Sequence, residues 1–224
     1  MKQITFLNGK LSDLAKDYIM TVLSGDRHDA SKLIMNAFEQ GMSIQDMYLR
    51  VFQPCQYEIG DLWESGQVSV AQEHYFTATS QVVLSQLYSH FPFKKSRGKQ
   101  AIITCAAGEL HEVGARMVAD FLEFEGWDTF FTGANTPVPD IIHTIDELNA
   151  SLLGVSVTIA YNLPMAMDLI SEVRESFPPE KLKIVVGGRA FSTSEKIWRK
   201  TAADGYASSA EESIQLARDY FPNT

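Results

Sequence analysis

Residues 101–114 read Ala101-Ile102-Ile103-Thr104-Cys105-Ala106-Ala107-Gly108-Glu109-Leu110-His111-Glu112-Val113-Gly114. The first six of these residues form an apolar run of strand length, and an amphipathic stretch from Val113 to Glu125 follows after one loop. The same alternation then repeats. Thr129-Phe130-Phe131 precedes Ile141 to Leu148, Leu152 to Val157 precedes Met165 to Phe177, and Lys183 to Val186 comes next. Asp204 to Ala207 adds a last strand and Glu211 to Tyr220 a last helix. Strand-then-helix units of this kind predict a parallel sheet covered by helices on both faces.

Before this series the period is different. From Leu11 to Tyr88 apolar residues recur at three and four positions, as in Leu33, Ile34, Ala37 and Phe38, then Met47, Val51, Phe52 and Cys55. Asp26 and Asp29 mark the start of a second helix, Gly41 its end, Ser43 the cap of a third, and Gly66 the break before a fourth. The spacing predicts four helices, with a kink or break just before Pro54. The expected fold is therefore α/β: an N-terminal four-helix bundle over residues 1–92 and a C-terminal Rossmann-like, flavodoxin-like doubly wound sheet over 99–224. Between them, Lys94-Lys95-Ser96-Arg97-Gly98-Lys99 reads as a solvated basic linker.

Composition narrows the function classes. Lys and Arg total 19 against 28 for Asp and Glu, a formal charge of -9, which argues against a broad nucleic-acid-binding face. Cys55 and Cys105 are far apart and lack a paired motif, no basic and apolar leader opens the chain, and no apolar run reaches membrane-spanning length. A reducing cytoplasm is the expected compartment. Nothing resembles a P-loop, a dinucleotide GxGxxG or a nucleophile elbow, so no catalytic residues are expected.

In an open parallel sheet, ligands sit beyond the carboxyl ends of the strands. Three such ends carry informative residues: Glu109 to Gly114 after the first strand, Ser156 at the end of the third, and Gly187-Gly188 at the end of the fourth. A histidine with a carboxylate two residues earlier has the parts of an oriented imidazole ligand. Gly114 leaves room for a planar ligand or a chain turn, Ser156 offers a donor and an acceptor, and Gly187-Gly188 leaves a slot for a slender group. Taken singly, each also fits an ordinary loop.

Together they resemble the cobalamin-binding domains built around a DxHxxG, SxL, GG pattern. Forty-one residues lie between Gly114 and Ser156 and 28 between Thr158 and Gly187, in close agreement with that pattern. The resemblance implies that His111 is the lower ligand of cobalt, replacing the cofactor's own dimethylbenzimidazole. It also implies a site from Glu109, Leu110, His111, Glu112, Val113 and Gly114, with Ser156, Thr158, Gly187 and Gly188 along the displaced nucleotide tail. Two positions depart from it: Glu109 stands for Asp, and Thr158 for Leu.

In the helical half, Trp63 is followed after nine residues by Glu73-His74. This resembles the cap of the cobalamin-dependent photoreceptors that carry adenosylcobalamin. The resemblance implies that Trp63 shields the upper ligand while Glu73 and His74 hydrogen-bond the adenosyl group. Core packing and a solvated helix face remain the plainer readings of these residues. At the position beside the Trp where some relatives have a second histidine, this chain has Glu64. Some short relatives add a bilin such as biliverdin, for which Tyr57, Tyr75, Phe76, Phe91 and Phe93 are aromatic candidates.

The expectation is a light sensor whose output is homo-oligomerisation or a protein signalling partner, without direct nucleic-acid or membrane binding. Two rivals stand beside it. One is a corrinoid carrier protein of a methyltransferase system; the other is a haem-binding or ligand-free interaction module.

Overall fold

The computed structural model describes residues 4–96, 98–192 and 195–222. Arg97 of the basic run and Met1 at the start lie outside them. The chain divides into two compact units, Met1–Phe91 and Pro92–Thr224.

The first unit is helical: α1 (Asp13–Leu23), α2 (Arg27–Glu39), α3 (Ile44–Met47), a π turn (Tyr48–Phe52), α4 (Gln53–Glu64) and α5 (Val70–Tyr88). Their starts are fixed by side-chain caps from Ser12, Asp26, Ser43 and Ser69, the last in a reciprocal capping box with Gln72. α1 packs against α2, α4 and α5. At the centre Tyr18 meets Phe52 and Phe76 edge-on, with ring centroids 5.4 and 5.6 Å away, and its hydroxyl is 3.1 Å from Ser80 Oγ. Buried Glu58 on α4 accepts from the main-chain N–H of Leu7 and Asn8, fastening the N-terminal segment to the bundle.

Of the two alternatives expected at Pro54, a kink there or a break just before it, the break does not occur. The helix runs on from Ile44 to Glu64 because the π turn inserts an extra residue, with Gln53 N–H bonded to the Tyr48 carbonyl. Pro54 follows directly on the π turn, within the continuous helix.

The second unit holds β1 (Gln100–Cys105), α6 (Val113–Phe124), β2 (Asp128–Gly133), α7 (Val138–Leu148), β3 (Leu152–Ser156), α8 (Leu163–Ser176), β4 (Lys183–Gly187), the short α9 (Arg189–Ser192) and α10 (Glu195–Trp198), β5 (Gly205–Ala207) and α11 (Ala210–Tyr220). All strand pairs are parallel, in the order β2-β1-β3-β4-β5. This is the flavodoxin-like order, whose switch point lies between β1 and β3. One core gathers Ile102, Leu153, Val155, Ile184 and Val186 from the strands with Ile141, Ile145, Leu169, Ile170 and Val173 from α7 and α8. Among the described residues no helix is long and apolar enough to cross a membrane.

The basic run is exposed from Lys94 to Ser96, and it is also anchored. Lys94 Nζ pairs with Glu125 at 2.8 Å, Ser96 Oγ donates to Asp128, and Lys99 Nζ lies 4.1 Å from the centroid of the Phe221 ring. Glu125, itself buried, also receives Arg218 of α11, so two exposed cations meet on one buried carboxylate.

Candidate functional site

At the carboxyl edge of the sheet, the register sets Cys105 beside Ser156 and Ser156 beside Gly187. The residues singled out after β1, β3 and β4 therefore share one edge. The loop after β1 turns at Gly108, whose φ of 79° favours glycine and whose N–H donates to Asn135 Oδ1.

Glu109 follows, fully buried, and its carboxylate receives five donors. Oε1 accepts from the N–H of His111 at 3.0 Å and from its ring Nδ1 at 2.5 Å. Oε2 accepts from the N–H of Thr158 at 2.8 Å, the N–H of Ile159 at 2.9 Å and Asn162 Nδ2 at 3.2 Å. Burial alone would raise the Glu109 pKa. The hydrogen bond from His111, then those from the main chain of Ile159, His111 and Thr158, overcome it and bring the group down to about 2.

The two departures from the sequence pattern thus meet each other. The carboxylate of Glu109 reaches the loop after β3, and what it takes from position 158 is a main-chain N–H, available from Thr as from Leu. Glu109 orients His111 and laces the β1 and β3 loops together across the switch point.

His111 is half-buried, its side chain 40% exposed, and its Nδ1–H is committed to the carboxylate. In that tautomer Nε2 carries the lone pair. Val113 is buried, while Leu110, Ile159 and Tyr161 expose apolar surface from the same two loops. Gly114 sits in the first turn of α6, and a Cβ placed there would meet nothing within 4 Å. The paired glycines differ. At Gly188, with φ of 96°, a Cβ would run into the carbonyl of Val157, and at Gly187 it would stand 3.0 Å from the carbonyl of Ala207. Main chain occupies these positions where the sequence suggested a slot, so close strand packing is itself a reason for both glycines.

In the helical unit, Trp63 lies on the last turn of α4, 42% exposed, and is not a core residue. Glu73 is buried in the first turn of α5, and its Oε2 is 2.6 Å from Nδ1 of the exposed His74. Of the aromatic residues considered for a bilin, Phe76 and Phe91 belong to the core, Tyr75 donates to the Gly25 carbonyl, and Tyr57 and Phe93 are exposed. Both cysteines are buried, and burial pushes the Cys105 thiol up to about 12. Sequence reasoning missed Asn162, Ile159 and Asn135. Only their place just beyond strand ends could have pointed to them.

Two models of the B12 binding domain match, over residues 14–88 and 99–215. This chain belongs to the B12-binding domain family. A dimethylamine corrinoid protein of Methanosarcina acetivorans is 24% identical over 72% of this chain and 76% of its own length. The HTH-type transcriptional repressor CarH of Myxococcus xanthus is 26% identical over 68% of this chain and 50% of its own. The structure of the Methanosarcina barkeri monomethylamine corrinoid protein superposes with a TM-score of 0.82 at 18% identity, covering 92% of this chain and 98% of that one, which establishes a shared fold.

Proposed function

We propose that the chain is a cobalamin-binding light sensor in which His111 is the lower ligand of cobalt and Trp63, Glu73 and His74 meet the upper, adenosyl group. The observation that carries this reading is the imidazole of His111 held by a carboxylate that is itself held by five donors. Such backing fixes the tautomer and strengthens the ligand.

The residues fit a corrinoid. Among the described residues no group of three or more His, Cys, Asp or Glu gathers to hold a bare ion, so one imidazole suits a metal that arrives inside a macrocycle. The empty Cβ position of Gly114 and the exposed Leu110, Ile159 and Tyr161 suit a broad, largely apolar ring. Ser156 and Gly187, adjacent in register, are the proposed border of the nucleotide tail.

A bound alkylcobalamin supplies a cobalt–carbon bond that visible light cleaves. The chain's own residues do the rest. His111 binds, Glu109 keeps the proton on Nδ1, Trp63 excludes water from the upper group, and His74 offers it a hydrogen-bond partner. Loss of the upper group would let Trp63 repack and alter an interface, either between copies of this chain or with a protein signalling partner.

Absorption spectra of protein reconstituted with adenosylcobalamin, taken in darkness and after green light, test the proposal, with sedimentation before and after illumination. A spectral change accompanied by a change in association is expected. A light-insensitive spectrum overturns the sensor reading. Added biliverdin tests for a second chromophore through red absorbance.

A corrinoid carrier for methyl transfer is the second reading, favoured by the dimethylamine corrinoid relatives. It predicts that methylcobalamin binds as tightly as adenosylcobalamin.

A further inference from the structure

Among the described residues, only two buried side-chain polar atoms lack a hydrogen-bond partner, Gln56 Nε2 and Thr129 Oγ1. Gln56 lies on α4, two helical turns before Trp63 and so on the same stripe. Its Oε1 is 3.4 Å from Thr77 Oγ1, which in turn is 2.9 Å from Glu73 Oε1. The other oxygen of Glu73 faces His74 Nδ1 at 2.6 Å. The four residues form a continuous polar chain from α4 to α5.

Hydrogen counting gives that chain a direction. A threonine hydroxyl has one hydrogen, and a carboxylate can only accept. Thr77 therefore donates to Glu73 and has nothing left to give Gln56. With the Gln56 amide turned, Nε2–H donates to Thr77 Oγ1, Thr77 donates to Glu73 Oε1, and His74 Nδ1–H donates to Glu73 Oε2. The amide nitrogen then has a partner, and the atom left over is a carbonyl oxygen, which tolerates burial better than an orphaned nitrogen.

We infer that Gln56 and Thr77 are positioning residues that hold Glu73 and thereby lock the neutral ring of His74 with its proton on Nδ1, so that Nε2 shows a bound ligand an acceptor. The inference deepens the reading of His74 as a contact for the upper group. An acceptor-only edge selects a ligand bearing N–H or O–H donors over one bearing an alkyl group alone.

Two-bond proton–nitrogen correlation spectra of the full chain, with ¹⁵N-labelled histidine and no cofactor, report each tautomer directly. His74 is assigned by the loss of its signals in His74→Gln. The expected pattern for His74 is a pyrrole-type Nδ1 and a pyridine-type Nε2. Thr77→Val should release His74 to the mixed tautomers of a free imidazole, Thr77→Ser should restore the lock, and His111 should be unaffected as an internal control for folding. If Thr77→Val disturbs His111 as well, Gln56→Leu provides the same test. An unchanged His74 pattern in a folded variant overturns the relay.

Binding separates this from the sensor proposal. Thr77→Val should weaken adenosylcobalamin by about threefold to tenfold while sparing methylcobalamin. Equal loss for both, with the tautomer shift present, overturns the selective role and leaves corrinoid binding through His111 standing.

Discussion

Each unit of the molecule places a glutamate against Nδ1 of a neighbouring histidine, and the two pairs are held very differently. In the parallel-sheet unit, Glu109 is fully buried, bonded to main chain from two loops, and supports a histidine 40% exposed. In the helical unit, Glu73 accepts from the side chain of Thr77 and supports a histidine 72% exposed. The first arrangement suits a ligand that must stay in place, because moving His111 would break main-chain bonds on both sides of the switch point. The second fixes the tautomer of a more exposed ring, because Glu73 is held by side chains alone. Similar residues are anchored more or less firmly according to what holds the carboxylate.

Removing the carboxylates should expose that difference most strongly. Glu109→Ala leaves the N–H groups of Thr158 and Ile159 without their acceptor, and should lower unfolding free energy by about 3–5 kcal/mol in denaturant titration. It should also weaken cobalamin binding by roughly 10- to 100-fold or more.

Acid should act on the same pair. The folded pKa of Glu109 is depressed from 4.5 to about 2, so its stabilisation is complete above the unfolded value and is lost as pH falls from about 4.5 to about 2. The contribution is on the order of 3 kcal/mol, measurable as a fall in unfolding free energy that Glu109→Gln largely abolishes.

Gly114→Ala should separate fold from ligand. Without cofactor it gains up to about 1 kcal/mol, since Ala is the better helix former and a Cβ meets nothing there. With cobalamin it should lose affinity, which calorimetric titration would show. The smallest effect is expected for Glu73→Ala, which should change stability by about 1 kcal/mol because its partners can turn to water. A loss as large as that of Glu109→Ala would erase the contrast between the pairs.

Much of this was legible in the sequence where a short-range rule applied. The period change from three-and-four to strand-then-helix separates the helical and sheet parts, and Ser43 announces its helix through a local capping bond. Glu109 and His111 are close in sequence, so their pairing could be anticipated. Its second half could not, because Thr158, Ile159 and Asn162 approach Glu109 only when β3 lies beside β1. The same holds for the glycines. Gly188 looked like open space for a ligand, whereas the main chain of Val157 fills its Cβ position. Pro54 suggested a broken helix because the π turn that absorbs it leaves no compositional mark. The anchoring of the exposed basic run was not legible because its partners, Glu125 and Phe221, are remote in sequence.

The role of His111 as the lower ligand can be tested by electron paramagnetic resonance of the protein loaded with unlabelled cobalamin and reduced to the cobalt(II) state. With ¹⁵N-histidine in the protein, each cobalt line should split into a doublet, and His111→Ala should abolish that doublet. A triplet that persists in the labelled protein would mean that the cofactor's own nitrogen base remains on cobalt, and would contradict the assignment of His111.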